Sequence, residues 1–293
     1  MAEGRQSARN VLTAGAAAFI GLWFAWLAGI DGRTIAGVPV LFACALLAFA
    51  LNWLAWIPAA RARTEKYYDL TGAITYLSVI ALAVTLSAPL DLRGGVVAAM
   101  VCIWALRLGL FLFARVHQAG SDRRFDAIKR DPARFLVVWI MQGLWVVMTA
   151  GAALATIAAP ERVGVDGWLV AGALLWLAGF TIEVVADAQK RTFRRDPANR
   201  DRYIAHGLWA WSRHPNYFGE IVLWTGIALI AVPIVQVWSA LVLVSPLFVW
   251  LLLTRISGIP LLDAQGKARW GDDPAWQARQ RQVPALLPRR PSR

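Results

Sequence analysis

The chain has 293 residues, of which 58% are hydrophobic and only 16% charged, and it carries 16 tryptophans. A soluble domain of this length needs more polar surface than that, which excludes an ordinary water-soluble enzyme. The formal net charge of +12 raises nucleic acid as a partner until the positions of the charges are read along the chain.

A membrane-spanning helix needs about 20 predominantly apolar residues. In chain order, the runs 11–30, 38–60, 70–88, 94–114, 135–159, 164–186, 217–233 and 237–254 are candidates. The first follows Arg5 and Arg9, as a signal-peptide core would. Its apolar part exceeds the ~7–15 residues of such a core and no small-x-small cleavage pattern follows, so a retained helix is expected. The last two runs are short and meet near Pro233 to Gln236, which predicts a helical hairpin rather than one long helix. The expected fold class is therefore all-α: a polytopic membrane bundle of about eight helices, a single membrane domain over 1–293 with a tail from 255 to 293. Cys44 and Cys102 both fall inside apolar runs and suggest neither a disulfide framework nor a zinc site.

With eight spans, alternate loops fall on opposite sides. The N-terminus, the loops 61–69, 115–134 and 187–216, and the tail together hold 26 of the 30 Lys and Arg residues; the other side has Arg33, Arg93 and Arg162, and Arg107 lies within a span. The positive-inside rule then places both termini in the cytoplasm. Seven spans would put the basic tail outside. The charge thus serves topology, and no nucleic-acid partner is expected. Because the outward loops are only a few residues long, function is expected at the cytoplasmic end of the bundle. Small-xxx-small spacings arise by chance in Ala-rich helices and assign no oligomeric state.

The stretch EVVADAQKRTFRR leaves the sixth span with Glu183, Asp187, Lys190, Arg191 and Arg194 at helical spacing on one face. An acidic pair deep in the bundle followed by a basic cluster near water suits a ligand with hydroxyls at one end and phosphates at the other. Anchoring to the cytoplasmic side accounts equally well for the arginines, but less well for Glu183, since a carboxylate inside a span is expensive. In SRHPNYFGE, Pro215 fits the first turn of a helix and His214 its N-cap position, just after Ser212 and Arg213. That helix would aim its positive end at the loop, a seat for an anion. Asn216 and Glu220 lie one turn apart on the same face, and Gly219 permits close approach of a helix or ligand. In a bland alternative, Glu220 complements the helix dipole while Arg213 and His214 touch lipid headgroups. A second wall is sought in EKYYDLTG, with Tyr67, Tyr68 and Asp69, and in WALRLGLFLFARVH, with Arg107 and Arg115. An aromatic belt at the membrane surface is the competing explanation for the tyrosines. No P-loop, strand-linked G-x-G-x-x-G, metal-ligand spacing or Ser-His-Asp arrangement is present.

HGLWAWSRHPNYFGEIVLW, the preceding D-x-x-K-R and the later LLLTRISGIPLLD resemble the bacterial, DUF1295-type branch of the steroid 5α-reductase-like family. YYDLTG and WALRLGLFLFARV extend the resemblance over about residues 60–265. It implies a helical membrane enzyme of the bacterial inner membrane, active toward the cytoplasm, that uses NADPH to reduce a carbon–carbon double bond conjugated to a ketone in a steroid-like or other lipid. It also implies that Asp187 and Arg194 hold the dinucleotide, that Glu183 stands where many relatives have Asn, that Asn216 meets the nicotinamide side, that Glu220 lies close to the cofactor, and that Arg255 is the arginine after the last span. On this reading Lys190, Arg191, Arg194, Arg195, Arg213 and His214 take the phosphates. Tyr68 or Tyr217 is the proton donor, and Asp69 and Arg107 face the substrate. The R-H-P-x-Y-x-G motif is shared with S-adenosylmethionine-dependent isoprenylcysteine methyltransferases, an alternative reading. However, their pair of glutamates after the last span is missing from RISGIPLLDAQGKARW. A non-enzymatic lipid-binding membrane protein is a third.

Overall fold

The computed structural model describes residues 2–119 and 125–290; of the loop expected over 115–134, residues 120–124 lie outside these. Among the described residues, eight helices are long and apolar enough to cross a membrane, which makes this an integral membrane protein with the all-α fold expected. They begin with α1 (Ala2–Gly29), α2 (Val40–Ala62), α3 (Tyr68–Leu86), α4 (Leu92–Ala119), α5 (Pro132–Ile157), α6 (Gly167–Arg195) and α7 (Pro215–Ala231). The eighth crossing is irregular. It passes from a 3₁₀ segment (Ser239–Val244) through α8 (Ser245–Leu251) and a π-helical turn (Leu252–Ile256) into α9 (Ile259–Trp270). α10 (Pro274–Gln282) follows, so the expected tail is largely helical. The link between α1 and α2 carries a two-residue ladder, Thr34–Ile35 against Val38–Pro39, turned at Ala36 and Gly37.

Contacts divide the chain into two compact units: Met1–Leu169 with Ile230–Ser245, and Val170–Leu229 with Pro246–Arg293. In the first unit α5 is the central element and touches α1, α2, α3 and α4. Its second half, TAGAALATI, is buried throughout, because small side chains let neighbouring backbones close in on it. Arg93 is 1% exposed. It pairs with Asp166 at 2.7 Å and donates to the carbonyls of Ile230 at 2.7 Å and Gly164 at 3.0 Å. Asp166 in turn accepts from the Leu169 amide at 2.8 Å. That amide, ahead of the nearby Arg93 guanidinium, holds the Asp166 carboxyl below the usual range.

In the second unit α6 and α7 pack along a glycine seam. A Cβ on Gly219 would stand 2.6 Å from the Gly179 carbonyl oxygen and 2.7 Å from the Glu183 nitrogen. One on Gly226 would stand 2.6 Å from both the Gly172 oxygen and the Trp176 nitrogen. Gly219 is thus spent on helix approach, one of the two roles its position allowed.

Three helical segments start at the same tripeptide, Asp-Pro-Ala, at 131–133, 196–198 and 273–275. Each Asp carboxylate accepts from the amide two residues on, at 2.9 Å, and each Pro occupies a first-turn position where its missing N–H costs nothing.

Candidate functional site

α6 does not stop at the end of its apolar run. It continues to Arg195, which carries Lys190, Arg191, Arg194 and Arg195 outward on a helix, as their spacing predicted. The chain then returns through a loop that is pinned back to α6. Trp209, 3% exposed, donates from Nε1 to the Ala186 carbonyl at 3.0 Å, and the Leu208 amide donates to Gln189 Oε1 at 3.0 Å. Gly207 makes this return possible with φ +61°, where a side chain would also run into Gln189. Ala186, Ile204 and Trp209 form a small buried core beneath the loop.

The loop ends at α7. Ser212, fully buried, accepts from the His214 amide at 3.1 Å and donates to the Leu286 carbonyl at 2.9 Å. Pro215 opens α7 with His214 at the position before it, as expected for an N-cap. The segment after α10 lies alongside this turn: the Arg213 amide donates to the Pro284 carbonyl at 3.0 Å, and the Arg289 amide to the Trp211 carbonyl at 2.9 Å.

These elements enclose a cavity of about 230 Å³. α6 contributes Lys190 and Arg194; the loop gives Tyr203, Ile204, Trp209, Arg213 and His214; α9 gives Leu262, Asp263, Gln265, Gly266, Arg269 and Trp270; α10 gives Trp276, Arg279 and Gln280. Five cationic side chains therefore meet one carboxylate among the lining residues, beside four tyrosine or tryptophan rings. The cations are ordered against those rings: Lys190 Nζ lies 4.9 Å from the Trp209 ring centre, and Arg269 and Arg194 lie 5.1 and 5.9 Å from that of Trp270. Arg279 donates to the Trp209 carbonyl at 2.6 Å.

Asp263 organises the inner end. It accepts from Arg213 at 3.0 Å, and Arg213 also donates to Gln280. His214, 6% exposed, faces the same Asp263 oxygen across 3.6 Å, too far for a hydrogen bond. Its Nε2 and the Arg213 Nε are buried without a hydrogen-bond partner. Burial pushes the His214 pKa down; Asp263 opposes this, while Lys190 and Arg213 reinforce it. Burial, with the Asp273 carboxylate adding to it, pushes the Tyr203 hydroxyl up. Cationic groups beside aromatic rings can hold an anionic group attached to a flat ring.

Of the residues singled out in the sequence, Lys190, Arg194, Arg213 and His214 line the cavity. Glu183, Asp187 and Glu220 are buried, at 2%, 6% and 7% exposure, and belong to α6 and α7 rather than to the cavity lining. Asn216 and Tyr217 fall in the first turn of α7, with the Tyr217 ring stacked on His214 at 5.5 Å. Arg191 and Arg195 are exposed on α6, and Arg255 is exposed in the π-helical turn. Tyr68, Asp69 and Arg107 belong to the first unit. There the Tyr68 hydroxyl donates to the Val138 carbonyl at 3.2 Å, Asp69 lies 3.6 Å from Arg115, and Arg107 lies over Phe111. The sequence reading did not anticipate Tyr203, Trp209 or the α9–α10 wall. A Trp- and Arg-rich stretch opened by an Asp-Pro cap was the available signal.

A polytopic helical membrane protein with a cation- and aromatic-lined pocket at the head of α7 is the class these features define. The chain belongs to the family described as protein of unknown function (DUF1295), whose model matches residues 55–283. This agrees with the resemblance read from the sequence. A protein of Ustilaginoidea virens named "Probable O-methyltransferase ustE" is 26% identical over 113 residues, or 37% of this chain and 38% of that protein. The chain thus matches about two-fifths of that relative's length. No solved structure matches significantly.

Proposed function

We propose that the protein is an NADPH-dependent reductase of a carbon–carbon double bond conjugated to a ketone in a lipid, working at the bacterial inner membrane with its site toward the cytoplasm. The observation that carries this reading is the convergence of Lys190, Arg194, Arg213, Arg269 and Arg279 on one cavity with Tyr203, Trp209, Trp270 and Trp276. Phosphates on an aromatic nucleoside match that wall. The partnerless Arg213 Nε and His214 Nε2 are the buried polar atoms a bound phosphate would satisfy. At about 230 Å³ the cavity is below the ~300–1,000 Å³ of a whole small-molecule site. It therefore takes the phosphorylated end of the dinucleotide.

When bound, NADPH supplies a hydride to the carbon beta to the carbonyl. Arg191 and Arg195, exposed beside the cavity residues on α6, add to the field that gathers phosphate. Asn216 and Glu220, one turn apart on α7, orient the carboxamide. Tyr217 donates from its hydroxyl to the carbonyl oxygen as negative charge develops there. Tyr68 is the weaker candidate because its O–H is already directed at Val138.

Similarity to the fungal protein named as a probable O-methyltransferase favours methyl transfer as the second reading. The cavity charge opposes it, since S-adenosylmethionine brings a positive sulfonium and Asp263 is the sole carboxylate among the lining residues. Equilibrium binding of NADPH, NADH and S-adenosylmethionine to the detergent-purified protein tests the two, followed by NADPH oxidation with a panel of lipid enones. Tight NADPH binding and enone-dependent oxidation support the reductase. Binding of S-adenosylmethionine alone overturns it in favour of methyl transfer.

A further inference from the structure

Resting on the reductase reading, we infer that Arg213, His214 and Asp263 form a proton-linked site for a phosphate monoester, which assigns the 2′-phosphate of the dinucleotide to the head of α7. The Arg213 charge is already matched by Asp263 at 3.0 Å. Of the other cavity cations, Arg269 pairs with Asp201, Arg194 and Arg279 donate to the Arg202 and Trp209 carbonyls, and Lys190 lies over the Trp209 ring, contacts that fix where each charge sits. A dianion arriving beside Asp263 draws a further positive charge to this spot. His214 supplies it: it lines the cavity, is 94% buried by its 6% exposure, and its Nε2 has no hydrogen-bond partner.

The groups facing His214 are Asp263 from α9, Lys190 from α6, Arg213 from its own loop and the Tyr217 ring from α7. Before binding, burial and the two cations keep the imidazole neutral. A dianion added to Asp263 reverses that balance, and Nε2 takes a proton from solvent. A pyrophosphate diester carries a single charge on each phosphorus and gives less incentive for the transfer. A monoester is already dianionic well above its second pKa of about 6, so at pH 7.5 the proton goes to the protein.

The test is calorimetric titration of the full detergent-solubilised chain at pH 7.5, in buffers of different ionisation enthalpy, with NADPH, NADH, 2′-AMP and a short-chain phosphatidic acid. Uptake of about one proton with NADPH and 2′-AMP, little with NADH, and loss of that uptake in His214→Gln are expected. With one linked proton, NADPH affinity falls by up to about tenfold per pH unit between the histidine's free and bound pKa values, while NADH affinity stays nearly flat. NADPH binding with no proton uptake, or equal uptake with NADH, overturns the inference and leaves the reductase reading standing. Failure of every nucleotide to bind overturns the reductase reading. Phosphatidic acid bound with proton uptake would then keep the monoester site but give it to a lipid headgroup, and no binding at all sinks both. The wild-type proton counts need no variant, so a misfolded His214→Gln does not blunt the test.

Discussion

Asp263 and Arg213 lie fifty residues apart in sequence and 3.0 Å apart in the fold. This contact ties α9 to the loop that opens α7, and it places a negative charge where a cofactor phosphate is proposed to bind. Replacing Asp263 with Asn keeps a hydrogen-bond acceptor for Arg213 and removes the repulsion. One charge at this partly exposed position is worth about 1 kcal/mol. NADPH affinity at pH 8 is therefore expected to rise roughly fivefold, read from quenching of tryptophan fluorescence; an unchanged or weaker affinity would remove Asp263 from the site's electrostatics.

Trp270 is flanked by Arg194 and Arg269 and donates from its ring nitrogen to the Asp201 carbonyl at 2.6 Å. Trp270→Ala removes an aromatic wall and the surface that orders both guanidinium groups. Loss of about 1–3 kcal/mol of cofactor binding, on the order of tenfold or more, is expected from such platforms. Wild-type affinity in the variant, measured by calorimetry, would show that the ligand does not use this wall.

Gly219→Ala places a methyl group against backbone atoms, the Gly179 oxygen and the Glu183 nitrogen, neither of which can rotate away. Overpacking of this kind costs about 1–3 kcal/mol. A lowered thermal midpoint in detergent is expected, and Gly226→Ala should behave alike at its own contact. Full stability in both variants would mean that α6 and α7 slide apart at little cost.

Arg93→Met leaves Asp166 without its ion-pair partner and the Ile230 and Gly164 carbonyls without their donor. A lowered thermal midpoint in detergent is expected, because the Ile230 and Gly164 carbonyls lose a buried donor. The wild-type Asp166 contribution carries a pH signature. Its carboxyl is held below the usual range in the folded state, so the stabilisation is complete above the unfolded pKa and disappears as pH falls through the folded one. The stability gap between wild type and Arg93→Met should therefore be widest near neutrality and narrow in acid to the part owed to the two carbonyl bonds.

The sidedness read from Lys and Arg counts is open to direct labelling. A cysteine placed at Gln277 on α10 should react with an impermeant maleimide only after intact cells are opened, and one at Val165 should react from outside. The reverse pattern would invert the topology and move the cationic cavity to the outer face.

The sequence made the eight crossings legible because apolar run length is a direct reading of bilayer thickness. The α6 half of the cavity was legible too, because Lys190 and Arg194 kept helical spacing past the apolar run. The α9–α10 half was not. Its helices are short, and their Asp263, Arg269, Trp276 and Arg279 follow no apolar stripe, so nothing local ties them to SRHPNYFGE; the link is made by long-range contacts such as Arg213 with Asp263 and Ser212 with Leu286. Tyr68 shows what sequence neighbours leave out. Its neighbours in sequence suggested a functional face, yet its ring packs between Phe125 and Trp139 and its hydroxyl meets a backbone carbonyl.

The segment from Val283 to Arg290 that lies along residues 211–213 also bears on biogenesis. Chains fold as they emerge from the ribosome, and here all eight crossings are made before α10 and that segment. The bundle must therefore be inserted with its cationic mouth still open. Trp276, Arg279 and Gln280 reach it only after α9 is in place, so a chain halted after α9 would keep every crossing and lack the α10 wall of the cavity.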